Sequence, residues 1–163
     1  MHVRRAAIGD EPTLRELRLQ AMADAPDAFG STYERELART VDDWRRWLSP
    51  GATFILEHGG EARGLVACAQ DTTDATVVQL MAMCVAPAAR GTGAADALVS
   101  QVVAWADAHA ARIVRLQVVE INGRARRLYE RHGFRATGVT RLRQRDGAVE
   151  LDLERQLDDT SAA

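Results

Sequence analysis

A turn that combines glycines with an arginine lies between two apolar runs, in the segment VAPAARGTGAADAL at residues 85–98. The alanine-rich run after it has helical periodicity, so the turn would place unpaired backbone N–H groups at the positive end of a helix dipole. Gly91 and Gly93 would allow an anionic oxygen to approach the backbone, and Arg90 would add a positive charge. The turn therefore predicts a site for an anion, most often a phosphate.

Two common nucleotide-binding motifs fit this turn poorly, and a purely structural turn is the remaining alternative. A Walker loop requires Gly-Lys-Ser/Thr, and the segment contains no lysine. The dinucleotide fingerprint requires a third glycine where this chain has Asp96, and an opening strand near the N-terminus of a doubly wound sheet. A tight turn without a ligand would explain the glycines but not the arginine.

The elements that position the turn alternate between β-rich runs and amphipathic helices. The runs TFILEH, GLVACAQ and TVVQLMAMCV are separated by short polar turns and predict an antiparallel meander. From Gly91 the apolar period changes to 3.6 and continues to His109, which predicts a long helix. The following run, RIVRLQVV, should then pair in parallel with the strand before the turn, through a right-handed crossover.

The remaining segments predict helices at both ends of the chain. After a strand at Val3–Ile8, Asp10 as N-cap and Pro12 open a first helix, and Thr40 and Asp43 stand at capping-box spacing in a second. The segment NGRARRLYERH has one apolar helical face followed by a stop glycine, and a hairpin turning at an Asp-Gly pair closes the chain. The sequence therefore predicts one mixed α+β domain over residues 1–156 and a frayed tail over 157–163.

The composition excludes several classes of function. Lysine and arginine number 21 against 23 acidic residues, so no global basic field attracts nucleic acid or membrane. Cys68 and Cys84 lie in apolar runs, which predicts buried free thiols in a reducing compartment. No run approaches the roughly 18 apolar residues of a membrane span, and the N-terminal segment has no apolar signal region. We expect a cytoplasmic protein whose partners are small molecules or bind to local patches of its surface.

Two segments together resemble the GCN5-related N-acetyltransferase (GNAT) family. RGTGAA is similar to the family's pyrophosphate loop Arg/Gln-x-x-Gly-x-Gly/Ala, with Arg90, Gly93 and Ala95 at its defining positions, although glycine is commoner at the last one. NGRARRLYERHGF is similar to the family's Asn-x-x-Ala-x-x-Leu-Tyr-x-x-x-Gly-Phe segment. The matching residues of that segment are Asn122, Ala125, Leu128, Tyr129, Gly133 and Phe134.

The resemblance implies an α+β fold with a mixed, splayed seven-stranded sheet flanked by about four helices. Acetyl-coenzyme A (acetyl-CoA), as cosubstrate, would lie between the strand that ends near Val85 and the strand that ends near Val119, and no metal ion would take part. The implied cofactor-binding residues are Met83, Cys84, Val85, Arg90, Gly91, Thr92, Gly93, Ala94, Ala95, Asn122, Ala125 and Tyr129. Arg124, Arg127 and Arg131 would either meet the 3′-phosphate or form a solvated basic face.

The resemblance also implies that Tyr129 is the catalytic general acid. Acyl transfer from a thioester to an amine needs a neutral amine, a polarised carbonyl and a proton for the departing sulfur. A tyrosine suits the last role because its reference pKa of about 10 keeps it protonated at neutral pH. A backbone N–H near Cys84 could polarise the carbonyl. A core tyrosine beside Leu128 is the alternative for Tyr129.

On the acceptor side the resemblance points to segments, namely the first helices and their connection. The candidate substrate-binding residues are Phe29, Ser31, Tyr33 and Glu34, with simple packing as the alternative for Phe29. Many relatives carry a carboxylate base on the strand before the loop, where this chain has Gln79 and Met81. The base would then be Glu34, Glu36, Glu120 or a water relay.

The implied function is direct transfer of an acetyl group from acetyl-CoA to a primary amine of a small molecule, or of a peptide or protein N-terminus. The alternative is a non-catalytic acyl-CoA-binding sensor or regulatory module, which would have no need for a leaving-group acid. We also expect a homodimer, because the apolar run AVELDLERQ could leave a pairing edge. Neither nucleic acid nor a membrane is expected as a partner.

Overall fold

The computed structural model describes residues 1–158, which form seven strands and five α-helices. The strands are β1 His2–Arg5, β2 Ala52–His58, β3 Glu61–Gln70, β4 Val77–Val85, β5 Ile113–Val119, β6 Arg135–Leu142 and β7 Val149–Gln156. The helices are α1 Glu11–Asp24, α2 Tyr33–Leu37, α3 Val41–Arg45, α4 Ala94–Ala108 and α5 Gly123–Arg131, with short 3-10 turns at Pro26–Ala28 and Pro87–Ala89.

The strands form one mixed sheet in the order β1-β2-β3-β4-β5-β7-β6. Among the neighbouring strands of the described residues, only β4 and β5 are parallel, and α4 connects them, as the change of periodicity predicts. The expectation that AVELDLERQ leaves a pairing edge is wrong, because β7 pairs with β5 on one side and β6 on the other. The free edges of the sheet are β1 and β6.

The sheet splays between β4 and β5, as the resemblance implies. These strands pair only over Val77–Gln79 and Ile113–Arg115, near the start of each. The register between β3 and β4 shifts after Leu65, and Ala82 adopts a φ of 61°, a left-handed conformation that is unusual for a residue with a side chain. The bulge bends the second half of β4 away from β5 and opens a cleft between them.

Apolar side chains cover both faces of the sheet. On one face α4 packs Leu98, Val99 and Val102 against alternate residues of the strands, and on the other face Leu14 of α1 packs with Trp44 of α3. The predicted buried thiols are confirmed: Cys68 and Cys84 are free and buried. Burial raises the pKa of the Cys68 thiol to about 12 and that of the Cys84 thiol to about 11, so both stay protonated at neutral pH.

Two helix ends follow the sequence signals, and one departs from them. Thr40 and Asp43 form the predicted capping box of α3. α5 ends with Gly133 at a φ of 85°, and the Phe134 N–H donates to the carbonyl of Tyr129, as in a Schellman motif. Asp10 precedes α1, but its side chain accepts from the Ala7 N–H and from Arg4 and does not cap the helix.

The short helix α2 has no counterpart among the four predicted helices. It has five residues and begins after Thr32, whose Oγ1 accepts from the Arg35 N–H. Five residues are too few to show a helical apolar period. The first strand is also shorter than expected, since it ends at Arg5 and not at Ile8.

The C-terminal segment predicted as a tail, 157–163, falls mostly outside the described residues. Within them, the Leu157 N–H donates to the Arg112 carbonyl and its side chain packs against the core. Over residues 1–158, none of the helices has the length and apolar character that crossing a membrane would require.

Candidate active site

Two adjoining cavities open where β4 and β5 diverge. The loop cavity, of about 510 Å³, is lined by residues 90–96 without Thr92, by the end of β4 and by the second half of α1. The β5 cavity, of about 500 Å³, is lined by Leu116–Val119 of β5, the bulged part of β4 and side chains from α1 and β7. Five residues line both cavities, namely Phe29, Met83, Asn122, Ala125 and Leu128. The two cavities therefore adjoin along one wall.

The turn before α4 presents backbone donors to the loop cavity. Gly91 and Gly93 have φ values of 75° and 86°, so both need the left-handed conformation that glycine adopts without strain. Gly93 is the N-cap of α4, and no side chain among residues 1–158 caps the helix. The first N–H groups of α4 therefore have no intrahelical partner and lie at the positive end of the dipole, where an anion would bind.

The basic residues around the loop cavity are largely paired with acids. The Arg90 guanidinium bonds the Asp24 carboxylate and, at 3.3 Å, the Val85 carbonyl, so its charge is compensated within the protein. Arg131 pairs with Asp96 at 3.0 Å. Arg124 lines the same cavity, whereas Arg127 does not. Anion binding at this loop would therefore depend mainly on the backbone.

Two of the residues predicted to bind the cofactor, Thr92 and Asn122, also stabilise the local fold. The Thr92 hydroxyl donates to the Ala89 carbonyl, closes the turn and does not line the cavity. Asn122 is the N-cap of α5, and its Oδ1 accepts from the Ala125 N–H at 3.2 Å. Its carboxamide NH₂ is the group that can still donate to a ligand.

Tyr129 lines the β5 cavity from the apolar face of α5. The residue is 6% exposed, and its ring packs edge-on against Phe134 with 5.7 Å between the centroids. Burial alone raises the pKa of the Tyr129 hydroxyl above its usual value, because no charge or hydrogen bond offsets the desolvation. The hydroxyl is therefore protonated at neutral pH and can donate.

Glu150 supplies the only carboxylate among the residues that line the β5 cavity within 1–158. It lies near the start of β7, half-buried, and pairs with Val119 at the end of β5. The sequence alone does not point to Glu150, because only the long-range pairing of β5 with β7 brings it to the cavity. No local motif marks it.

Arg18 is the second functional candidate that the sequence analysis missed. It lines the β5 cavity from α1 and is buried. A signal was available in the sequence: Leu14, Arg18 and Met22 are spaced four residues apart, so Arg18 falls within the apolar stripe of the helix. A charged residue at such a position is buried and needs a partner or a function.

Of the four predicted substrate-binding residues, the structure brings only Phe29 to a cavity wall. Ser31, Tyr33 and Glu34 lie at or before the start of α2, outside the lining of both cavities, and Tyr33 and Glu34 are exposed. Phe29 is held in place from across the molecule, because Arg143 and Arg145 of the β6–β7 turn donate to its carbonyl at 2.9 and 2.7 Å.

The carboxylates considered as bases also lie away from the cavities. Glu36 is fully buried and accepts from Arg39 at 2.9 Å. Burial opposes ionisation of Glu36, but the Arg39 hydrogen bond and the charges of Arg18 and Arg39 outweigh it and lower the pKa, which makes Glu36 a weak base. Glu120 is exposed and lies outside both linings.

Comparison with known proteins decides the family. The acetyltransferase (GNAT) family model matches residues 18–134 of the chain. The chain belongs to the GNAT family. The protein is thus an acetyltransferase by family, and acetyl-CoA is the expected cosubstrate of such enzymes. Within residues 1–158, no three histidine, cysteine, aspartate or glutamate side chains come together as metal ligands would.

Solved structures share this GNAT fold over nearly the whole chain. The ribosomal-protein-alanine N-acetyltransferase of Brucella melitensis has a TM-score of 0.80 at 18% identity, over 96% of this chain and 100% of that one. A GCN5-related N-acetyltransferase of Kribbella flavida has a TM-score of 0.78 at 25% identity, over 96% and 97%. The Salmonella typhimurium protein yncA, solved with its cofactor acetyl-CoA, has a TM-score of 0.80 at 20% identity, over 100% and 97%. No curated protein sequence matched the chain.

Proposed function

We propose that the protein transfers the acetyl group of acetyl-CoA directly to a primary amine. The observation that carries this proposal is the position of Tyr129, whose buried, protonated side chain lines the β5 cavity next to the wall shared with the loop cavity. The loop cavity would hold acetyl-CoA, and the β5 cavity would hold the acceptor. The acetyl group would then lie near the shared residues Met83 and Asn122.

The residues of the loop cavity fit the chemistry of acetyl-CoA. The uncapped N–H groups at Gly93–Asp96 suit the pyrophosphate, and the splayed end of β4 at Met83–Val85 suits the amides of the pantetheine arm as an added strand would. Asn122 would donate its NH₂ to the same arm. Thr92 would contribute through its backbone only, because its hydroxyl is bonded to Ala89.

Bound acetyl-CoA supplies the thioester, and two side chains of the protein each transfer one proton. Glu150 would accept a proton from the amine nitrogen, which frees the lone pair that forms the new N–C bond. Tyr129 would donate its hydroxyl proton to the sulfur as the C–S bond breaks. When the C–S bond has broken, the nitrogen loses its second proton to solvent, the Tyr129 phenolate takes a proton from solvent, and the protonated Glu150 releases its proton to solvent. The net reaction converts the ammonium form of the acceptor and acetyl-CoA into an N-acetyl amine, a free thiol and one proton.

The dimensions of the β5 cavity favour a small acceptor. About 500 Å³ lies within the range of small-molecule pockets, and Phe29 and Trp47 provide aromatic walls. A peptide or protein N-terminus is the second candidate acceptor, since it presents the same amine. The alternative of a non-catalytic acyl-CoA sensor would need neither Tyr129 nor Glu150 in the cavity.

Substitution of Tyr129 by phenylalanine tests the proposal. The ring and its packing stay, but the proton donor is lost, so kcat should fall on the order of a hundredfold. The affinity for acetyl-CoA should change by less than about threefold, because the hydroxyl is assigned no contact with the nucleotide or pyrophosphate. Thiol release from acetyl-CoA, measured across amines, amino acids, aminoglycosides and peptides, gives kcat, and calorimetry gives the affinity.

The outcomes separate the candidate functions. Wild-type turnover in Tyr129→Phe with a confirmed acceptor would reject Tyr129 as the general acid. Tight acetyl-CoA binding without thiol release for any acceptor would favour the sensor. The homodimer and the cytoplasmic location stay predictions; with β7 inside the sheet, β6 and β1 are the strands through which pairing could occur.

A further inference from the structure

Arg18 is a buried cation on the wall of the β5 cavity without a close partner of its own. The residue is 5% exposed. Its Nε and Nη1 atoms are fully buried and have no hydrogen-bond partner within residues 1–158. Nη2 lies 3.6 Å from Glu36 Oε1, which is too far for a hydrogen bond. The three N–H groups on Nε and Nη1 are therefore unsatisfied, which is costly for a desolvated charge.

The nearest carboxylate is already engaged by a second arginine. Arg39 donates to both oxygens of Glu36, from Nε at 2.9 Å and from Nη2 at 3.3 Å. Arg18, Glu36 and Arg39 therefore carry a net charge of +1. The Cys84 thiol near Arg18 does not neutralise it, because burial raises the thiol pKa to about 11.

Two aromatic rings hold the Arg18 guanidinium against the cavity. Its Cζ lies 5.0 Å from the centroid of Phe29 and 5.4 Å from that of Trp47, and both rings also line the β5 cavity. Such stacking suits a guanidinium, which is weakly hydrated and presents planar donors to an oxyanion. Glu150, on β7, brings a negative charge to the same cavity.

We propose that the β5 cavity selects amines that also carry a compact oxyanion, a carboxylate or a phosphonate, and that Arg18 binds this group. This inference rests on the proposed acetyl transfer and narrows its acceptor to amino acids and their oxyanion analogues. The anion would pair with Arg18 while the amine reaches Glu150 and Tyr129. An amine without the anion would leave the buried N–H groups on Nε and Nη1 of Arg18 without a hydrogen-bond partner, so the cavity would discriminate against it.

The test compares each acceptor with its uncharged counterpart. Initial rates of thiol release from acetyl-CoA are measured with the common α-amino acids, with their α-amides and with aminoalkylphosphonates. We expect kcat/KM for the best amino acid to exceed that of its amide by at least tenfold. The phosphonates show which oxyanion the cavity prefers. Equal kcat/KM for acid and amide in the wild-type enzyme would overturn the proposal.

Substitutions on α1 test whether the preference for acids over amides depends on Arg18. Arg18→Gln should reduce the acid-to-amide ratio of kcat/KM to near one, because only the anion loses its partner. Glu36 keeps its bonds to Arg39 in this variant, which favours folding. Arg15→Gln removes the same charge from an exposed position one turn earlier on α1 and should leave the ratio unchanged. A full ratio in folded Arg18→Gln would contradict the assignment.

The variant Arg18→Lys and a binding measurement give two further tests of the oxyanion site. If Arg18→Gln does not fold, Arg18→Lys retains the charge but loses the planar donors, and the ratio should still fall several-fold. Calorimetry of acid and amide pairs with the enzyme saturated with CoA is independent of turnover. Tighter binding of the acid without thiol release would support the oxyanion site and reject the transfer, whereas thiol release without an acid preference would do the reverse.

Discussion

The loop cavity and the β5 cavity are suited to bind charged groups in different ways, the first through backbone N–H groups and the second through charged side chains. The loop cavity presents backbone N–H groups at the start of α4, and its arginines Arg90 and Arg131 are paired with Asp24 and Asp96. The β5 cavity presents side chains, above all Arg18 and Glu150, which come from α1 and β7. The backbone donors of the loop cavity are contiguous in the sequence, whereas the charged side chains of the β5 cavity come together only once distant segments have packed.

This difference has a consequence for specificity. Backbone donors stay in place whatever the side chains are, so the loop cavity suits a ligand that does not vary, such as the pyrophosphate of acetyl-CoA. Charged side chains can be changed one at a time, so the β5 cavity is the part that can be adapted to a particular acceptor. Substitutions in the loop should therefore affect every acceptor equally, and substitutions in the β5 cavity should affect acceptors differently.

The largest expected effect is a loss of acetyl-CoA binding in Gly93→Asp. The new carboxylate would stand at the N-cap of α4, where the pyrophosphate should bind, and repulsion between these anions should lower the affinity on the order of a hundredfold or more. Calorimetry with acetyl-CoA measures the loss. Every acceptor should then be acetylated more slowly by the same factor in kcat/KM.

Gly93→Asn is the matched control for this charge. Asparagine has nearly the same shape as aspartate and also tolerates the left-handed conformation that Gly93 adopts at a φ of 86°. An added Cβ would meet no atom closer than 3.9 Å, so neither variant is obstructed sterically. The asparagine variant should retain most of the affinity. Equal losses in the two folded variants would mean that backbone strain, and not the anion, explains the effect.

The same contrast explains which parts of the molecule could be predicted from the sequence. The turn before α4 and the segment from Asn122 to Phe134 are each contiguous, so the periodicity, the glycines and the family motifs all predict them. The splay between β4 and β5 followed from the resemblance. Over these regions, local sequence and final structure agree.

The acceptor side could not be predicted in this way. Glu150 reaches the β5 cavity only through the pairing of β7 with β5, and the wrong expectation of an edge at β7 has the same origin. Arg18 has a signal in the apolar stripe of α1, but its surroundings depend on the packing of α1 against α2, where Glu36 is already bonded by the nearby Arg39. Ser31, Tyr33 and Glu34 are candidates only because the resemblance places their segment on the acceptor side, and their role stays a prediction.

The next effect in size is expected for Glu150→Gln. If Glu150 accepts the amine proton, kcat at neutral pH should fall by roughly tenfold or more. The loss should shrink as the pH rises toward the pKa of the amine, which is about 8 for the α-amino group of a peptide and higher for a free amino acid, because solvent then supplies the neutral amine. The rate of thiol release between pH 6 and 9.5 measures this profile.

Glu154→Gln controls for the loss of a carboxylate from the same strand. Glu154 lies four residues further along β7 and pairs with Arg115 at 2.8 Å outside the β5 cavity. Its variant should keep the wild-type pH profile. A loss in Glu150→Gln that is the same at every pH would indicate a role in binding or packing and would contradict proton transfer.

The smallest expected effect is at Asn122, where the two cavities share a wall and where one side chain has two roles. Its Oδ1 caps α5, and its NH₂ is proposed to donate to acetyl-CoA. Asn122→Ala removes both, so the free energy of unfolding should fall by about 1 kcal/mol. The acetyl-CoA affinity should fall about three- to tenfold, as for one neutral hydrogen bond.

Asn122→Ser separates the two roles. Serine is an equally good N-cap, so the stability measured by urea unfolding should stay near that of the wild type. Its shorter side chain does not reach as far as the carboxamide NH₂, so the affinity measured by calorimetry should fall as much as in the alanine variant. If serine restored both quantities, the cap would be the only role of Asn122, and the contact with acetyl-CoA would be assigned wrongly. If serine restored only the stability, the shared wall would belong to the cofactor site as well as to the helix end.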